Sequence, residues 1–290
     1  MRVGPAALLA ALLLSGCDAA RPAVPAATAK PLRVMSINQC TDQLVLALLP
    51  PGRIASVSWL SRDPGASLMA AEAMRVPVNH GQAEDVLAQK PDLVIAGSGT
   101  TPALRQMLKR LGYPLVEVDH AGNLWDVRRI TRQVAAAVGE PARGEALLAD
   151  MERTLASLAS SPAPPVPVAA WYRTGFAAGE GTLFSTVLEA AGARNLALGP
   201  PVSSNSRPGI ELLLVLRPTL LVQGSGNPES PSLGDDLLHH RLVERIWGDR
   251  KVFIPQAWYV CGTPKIADAA LLLQSRLRET AARVGSAPPA

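Results

Sequence analysis

The residues able to do chemistry in this chain are few and scattered. It holds three cysteines (Cys17, Cys40 and Cys261) and four histidines (His80, His120, His239 and His240). No Gly-x-Ser-x-Gly elbow, His-Glu-x-x-His helix or P-loop accompanies them, so motif-bearing routes to hydrolysis, zinc proteolysis and nucleotide binding find no support. Gly97-Ser98-Gly99 and Gly224-Ser225-Gly226 lack the Lys and following Ser or Thr of a phosphate cradle, and they read as tight turns. Catalysis is therefore not expected. Aromatic residues make up only 4% of the chain, yet five of them are Trp. Such rings give large contact area at low entropic cost, which is the chemistry of recognition.

The elements that must position these residues occur twice. Residues 84–99 read EDVLAQKPDLVIAGSG, and residues 211–226 read ELLLVLRPTLLVQGSG. Setting Glu84 against Glu211 brings Leu87 onto Leu214, Lys90 onto Arg217 and Pro91 onto Pro218 without a gap. Each copy predicts a short apolar helix that stops before Pro, then a continuous apolar run typical of a buried parallel strand, then the Gly-Ser-Gly turn. A unit repeated after about half the mature chain is too widely spaced for a solenoid and indicates two similar lobes.

Strand–helix alternation in both halves makes the fold α/β, with two Rossmann-like parallel-sheet lobes and a ligand cleft between them. The N-terminal lobe is expected over 32–140 and the C-terminal lobe over 162–284, with a tail at 285–290. One long rigid helix at 141–161 joins them, carrying Leu147, Leu148, Met151, Leu155 and Leu158 on one stripe. The first helix is expected over Thr41–Leu49 with Thr41 as its cap. His239 and His240 are expected inside an amphipathic helix over Leu237–Trp247, and the last helix over Pro264–Val284.

In open parallel sheets a ligand sits beyond the C-terminal ends of the strands. That rule selects Gln39, Cys40, Trp59, His80 and Ser98 on one wall, and Tyr172, Arg173, Trp258, Tyr259 and Cys261 on the other. Trp59 and Trp258 suit a large, flat, partly apolar ligand, although either ring could instead cap the core of its lobe. His120 also ends a strand and could face the cleft, without an evident acid partner nearby in sequence.

The composition, 48% hydrophobic and 18% charged, suits globular lobes with real cores. A net charge of +4 spread without Lys/Arg runs excludes a nucleic-acid surface. At the N-terminus, a positive start and an apolar run end in Leu14-Ser15-Gly16-Cys17. This pattern resembles the bacterial lipobox, with a signal peptide at 1–16, lipid on Cys17 and an Ala/Pro-rich tether at 17–31. Asp18 after the cysteine implies, by the same resemblance, retention at the inner membrane. Cys40 and Cys261 are then the two remaining thiols of an oxidising compartment. Three readings stay open for them: a disulfide across the cleft, a metal centre with His80, or small residues filling helix–sheet gaps.

Arg33–Asn38, Cys40-Thr41-Asp42-Gln43-Leu44, the run Lys90-Pro91-Asp92-Leu93-Val94-Ile95 and Gly181–Gly192 together resemble the Fe/B12 periplasmic-binding proteins. These are the helical-backbone solute receptors of ABC importers, and the similarity runs from about Pro31 to Val284. The resemblance implies capture of a bulky metal chelate: cobalamin, a ferric siderophore or, less favoured, haem. It implies delivery to a two-fold ABC permease in the inner membrane, with no resident cofactor. It also implies that Glu84 and Glu211, one per lobe, dock onto arginines of that permease; otherwise each would merely complement a helix dipole. The rival functions are an extracytoplasmic metal-binding enzyme and a receptor for a bare metal ion, which would want three or four converging ligands.

Overall fold

The apolar runs form parallel strands in a computed structural model that describes residues 30–172, 179–198, 209–224 and 240–285. In the first lobe β1 (Val34–Ser36), β2 (Ile54–Ser58), β3 (Val78–Asn79), β4 (Leu93–Gly97) and β5 (Leu115–Val118) assemble in the order β3-β2-β1-β4-β5. In the second, β6 (Pro167–Tyr172), β7 (Arg194–Asn195), β8 (Leu220–Gly224) and β9 (Lys251–Phe253) assemble as β7-β6-β8-β9. Every pairing is parallel. The second order is the first without its outer strand β3, so the duplication seen in the sequence extends to sheet topology. Buried residues fill β2 and β4 from end to end, as expected for strands covered on both faces.

The repeat is most literal at its helix ends. Helix α3 (Ala83–Gln89) closes at Lys90 with φ 45°, and α8 (Ile210–Leu216) closes at Arg217 with φ 48°. These are the two non-glycine residues with left-handed backbone among the described residues. Each precedes a proline, which crowds the right-handed helical region of the residue before it. The expected stops are therefore present, as left-handed caps rather than simple breaks.

The remaining helices are α1 (Gln39–Leu48), α2 (Ala70–Ala73), α4 (Pro102–Arg110), α5 (Leu124–Ala137), α6 (Pro141–Ser160), α7 (Leu183–Ala190), α9 (Arg241–Trp247) and α10 (Ile266–Gly285). The interlobe helix is α6, which starts with Pro at its first position, where no N–H is needed. Leu148, Met151 and Leu158 on it are buried, with Leu147 and Leu155 packed beside them. They belong to one apolar cluster that also takes in Val134 of α5, Val187 of α7, Leu273 of α10, and Val34 and Val168 from the two sheets. The lobes thus share a continuous core. Arg128–Glu152 (2.6 Å) and Arg132–Glu145 (2.7 Å) add ion pairs between α5 and α6.

Three local expectations are corrected. Asn38, not Thr41, caps α1: its Oδ1 accepts from the Cys40 N–H at 3.0 Å, while the Thr41 hydroxyl donates back to the Asn38 carbonyl. His240 is the cap of α9, its Nδ1 accepting from the Leu242 N–H, rather than a residue within that helix; His239 lies outside the described residues. The last helix begins at Ile266, two residues after Pro264. Strand β7 follows Gly192 without any apolar run to announce it.

Candidate ligand cleft

The cleft is built from the end of β1. Asn38 follows that strand and lies over Gly97 at the end of β4. A Cβ at Gly97 would sit 2.4 Å from the Asn38 Cγ, so only glycine admits this cap. The cap aims the first turn of α1, and with it Cys40, beyond the C-terminal edge of the first sheet. Cys261 arrives from the second sheet, in the segment that follows β9 and a single 3-10 turn at Gln256–Trp258. The two sulfurs form a disulfide with Cα atoms 4.9 Å apart, closing a separation of 221 residues. Cys261 is buried and Cys40 half-buried. A bond between these two points sets the C-terminal edges of the sheets facing one another. Because both sulfurs are consumed, the thiolate metal centre with His80 is overturned.

Two further contacts seal the floor beside the disulfide. A Cβ at Gly262 would lie 2.3 Å from the Ala121 Cβ, so glycine is what allows the lobes to meet there. The Thr186 hydroxyl of α7 donates to the Gly122 carbonyl at 3.3 Å. Between these contacts and the sheet edge lies a mainly apolar cavity of about 230 Å³, lined by Asn38, Cys40, Ser98, His120, Val260 and Gly262 among others. Sites for small molecules run to roughly 300–1,000 Å³, so this cavity is the floor of a larger site. No Lys or Arg is among its lining residues within the described part of the chain.

Trp59 opens a single 3-10 turn after β2 and is 53% exposed, so it does not cap the core. Its position is set by Asp42, buried in the first turn of α1. Asp42 Oδ2 accepts from the Ser58 N–H at 3.1 Å, the Ser58 hydroxyl and the Ser61 hydroxyl at 2.6 Å, bracketing Trp59 on both sides. The other oxygen, Oδ1, is buried with no hydrogen-bond partner among the described residues. Burial pushes the Asp42 carboxyl up to about 6, against the serine hydrogen bonds that pull it down.

The other selected residues divide. Ser98 is exposed at the turn after β4 and lines the cavity. Gln39 is half-buried and donates from Nε2 to the Ala66 carbonyl, so it braces the loop behind Trp59. His80 is exposed after β3, two strand positions from β1 or roughly 10 Å, and its N–H is held by Asp85. The histidine at the floor is His120, at the end of β5. Trp258 is half-buried against the shared core. Tyr259 is corrected to a core residue: it is 9% exposed, with its ring centroid 4.4 Å from that of Phe184 on α7. Tyr172 ends β6; its side chain, Arg173, Ser225 and Cys17 lie outside the described residues. Glu84 and Glu211 stand exposed in the first turns of α3 and α8.

This fold and edge-to-edge cleft define a two-lobed solute receptor, and sequence comparison agrees. The chain belongs to the periplasmic binding protein family, whose pattern matches residues 34–246. That is a family of substrate-binding transport proteins rather than enzymes. A search of curated proteins finds no match. Among solved structures the chain is similar to the periplasmic heme-binding protein RhuT from Roseiflexus sp. RS-1. The two are 23% identical with a TM-score of 0.72, over 86% of this chain and 98% of that one. A periplasmic heme-binding protein from Pseudomonas aeruginosa is 24% identical with a TM-score of 0.65, over 90% and 95% of the two chains. The periplasmic vitamin B12-binding protein BtuF of Vibrio cholerae is 18% identical with a TM-score of 0.64, over 87% and 98%. No helix among the described residues is long and apolar enough to cross a membrane.

Proposed function

We propose that this protein is the lipid-anchored receptor of an ABC importer that captures a tetrapyrrole metal chelate, haem or a corrinoid, between its lobes. The observation that carries this reading is the apolar floor where the two sheet edges meet, with an imidazole on it and no Lys or Arg among its described lining residues. A flat metal macrocycle wants apolar surface, a ring to stack on and an axial ligand, which the floor, Trp59 and His120 supply. An anionic ferric siderophore would want Arg or Lys at the floor. Heme- and B12-binding proteins among the similar structures support metal-chelate capture, as does one from an Fe3+-hydroxamate transport system. Capture of a bare ion needs three or four converging ligands, and no group of three His, Cys, Asp or Glu among the described residues is so placed. Lipid on Cys17 holds the receptor at the inner membrane, and Glu84 and Glu211 dock it onto a two-fold permease.

The test is a titration of residues 31–290 with haemin, cyanocobalamin and a panel of ferric siderophores, followed by tryptophan quenching and visible absorption. One-to-one saturation by haemin or cyanocobalamin is expected, with a shifted metal-centred band that His120→Ala alters. Saturation by a siderophore alone would overturn the tetrapyrrole assignment. Saturation by none of them would overturn chelate capture.

A further inference from the structure

Beside the cleft floor lies a second cavity, of about 170 Å³. Gln43 and Ala47 of α1 line it from the first lobe, Met151 lines it from α6, and Thr263 and Pro264 line it from the second lobe, just ahead of α10. Among the described residues Leu44 alone lines both cavities, so its side chain is their shared wall. An occupant of the second cavity would touch both lobes and the helix between them.

The inner wall carries an unspent donor. Gln43 is 2% exposed, and its Oε1 accepts from the Leu68 N–H at 3.4 Å. That bond fixes which way round the amide lies, since turning it would set two N–H groups against each other. The Gln43 Nε2 then has no hydrogen-bond partner among the described residues. Buried donors in folded proteins are nearly always paired, and an unpaired one carries its full desolvation cost. The rest of the wall is mainly apolar, with Leu44 and Met151 buried and Met69 and Leu147 packed against the core. Water filling this space would leave several molecules against those side chains without a polar partner.

The charges at the mouth narrow the occupant further. Lys265 pairs with Asp268 at 3.2 Å, and Asp150 pairs with Arg153. An entering carboxylate would meet two acids, with the lysine beside them already engaged, and would lose its water without a partner. A neutral molecule escapes that penalty. Size adds a second limit, because a cavity of about 150 Å³ lined by aliphatic side chains takes up one benzene molecule. We propose that this cavity is a second ligand site, for a neutral single-ring molecule carrying one carbonyl oxygen. The oxygen accepts from Gln43 Nε2, and the ring lies against Leu44, Met69 and Met151. Binding there ties α1 to the start of α10 across α6, whatever the cleft holds.

Residues 31–290 form one compact unit, and the test uses them with isotope-labelled methionine methyls. The probes are acetophenone, ethylbenzene (the same shape without the oxygen) and benzoate. Acetophenone should shift the Met69 and Met151 methyl signals saturably, leave that of Met107 on α4 in place, and raise the thermal midpoint with concentration. Ethylbenzene should bind about tenfold more weakly, the worth of one hydrogen bond, and benzoate should not bind. Gln43→Met removes the donor and keeps the bulk, so the two neutral probes should then bind equally. Ala47→Leu fills the cavity from a half-buried helix position and should abolish the shifts; it carries the test if Gln43→Met does not fold. Equal affinity for both neutral probes in the wild type, or a preference for acetophenone that survives Gln43→Met, would overturn the ligand class. Unmoved Met69 and Met151 signals with all three probes would leave the cavity to water and overturn the site. Shifts that persist in Ala47→Leu would place the probes elsewhere and overturn it as well.

Discussion

Asp42 makes the most direct link between buried electrostatics and the cleft. Its carboxyl is fully buried and rises from 3.8 to about 6 because burial outweighs the serine hydrogen bonds. A carboxyl raised in the folded state favours folding most when protonated. Its contribution is fully present below the unfolded value of 3.8 and is lost as pH rises through about 6. A shift of about 2 units corresponds to about 3 kcal/mol. The wild type should therefore lose most of that amount between pH 4 and pH 7.5 through this one group. Asp42→Asn keeps the shape and an acceptor for Ser58 and Ser61 but cannot ionise. The assay is urea unfolding of both proteins at half-unit steps across that range. Other ionisable groups, including the carboxylates of Glu117 and Glu152 held low by their basic partners, are common to both proteins and cancel in the difference. The wild-type minus variant stability should lose most of that amount, falling steadily between about pH 4 and pH 6 with half of the change complete near pH 5 and a plateau above 7. Two curves that stay parallel would refute the claim that Asp42 is desolvated as described.

Two other outcomes follow from the same geometry. Replacing both cysteines, Cys40→Ser with Cys261→Ser, opens a loop of 221 residues, for which chain entropy alone gives a stabilisation of roughly 5 kcal/mol. The variant should unfold at a markedly lower denaturant concentration and bind ligand more weakly, and wild type in reductant should match it; equal midpoints with and without reductant would refute the bracing role. Trp59→Ala should leave the thermal midpoint within a degree or two, since the ring is half exposed, and weaken ligand binding by about 1 kcal/mol in a quenching-independent assay such as calorimetry. An unchanged affinity would remove Trp59 from the ligand's surroundings.

Much of the scaffold was legible because it rests on local pattern. Strands β4 and β8 and the helix stops at Lys90 and Arg217 follow from apolar runs and prolines, and α6 follows from its leucine stripe. What escaped was decided by distant partners. Thr41 has a good capping side chain, but Ser36 and the Asn38 carbonyl hold its hydroxyl inside the fold, and Asn38 takes the cap one turn earlier. Tyr259 reads in the sequence as a residue just past a strand, but it closes the 3-10 turn after β9, and Phe184, far away in sequence, draws its ring into the core. β7 is two residues long and has no periodicity to read. Residue types in the sequence left three fates open for Cys40 and Cys261; the Cα separation of 4.9 Å, a tertiary quantity, is what joins them. His120 was visible as a strand end, and only the facing of the two edges brings it to the floor.

The repeat also shows where duplication is kept and where it is lost. On the outer helices α3 and α8 the two lobes match in burial position by position: Val86 with Leu213 inside, Glu84 with Glu211 and Leu87 with Leu214 outside. At the cleft edge the Gly-Ser-Gly turn is shared as well, Gly97-Ser98-Gly99 recurring as Gly224-Ser225-Gly226, and the residues around that turn differ. Among the described residues, the first lobe contributes Asn38, Asp42 with its serines, Trp59 and His120, and the second contributes Cys261, Val260 and the glycine that meets Ala121. The duplication is kept where backbone geometry demands it, at the helix-ending prolines, the buried strand leucines and the Gly-Ser-Gly turn, and it is lost among the side chains around that turn.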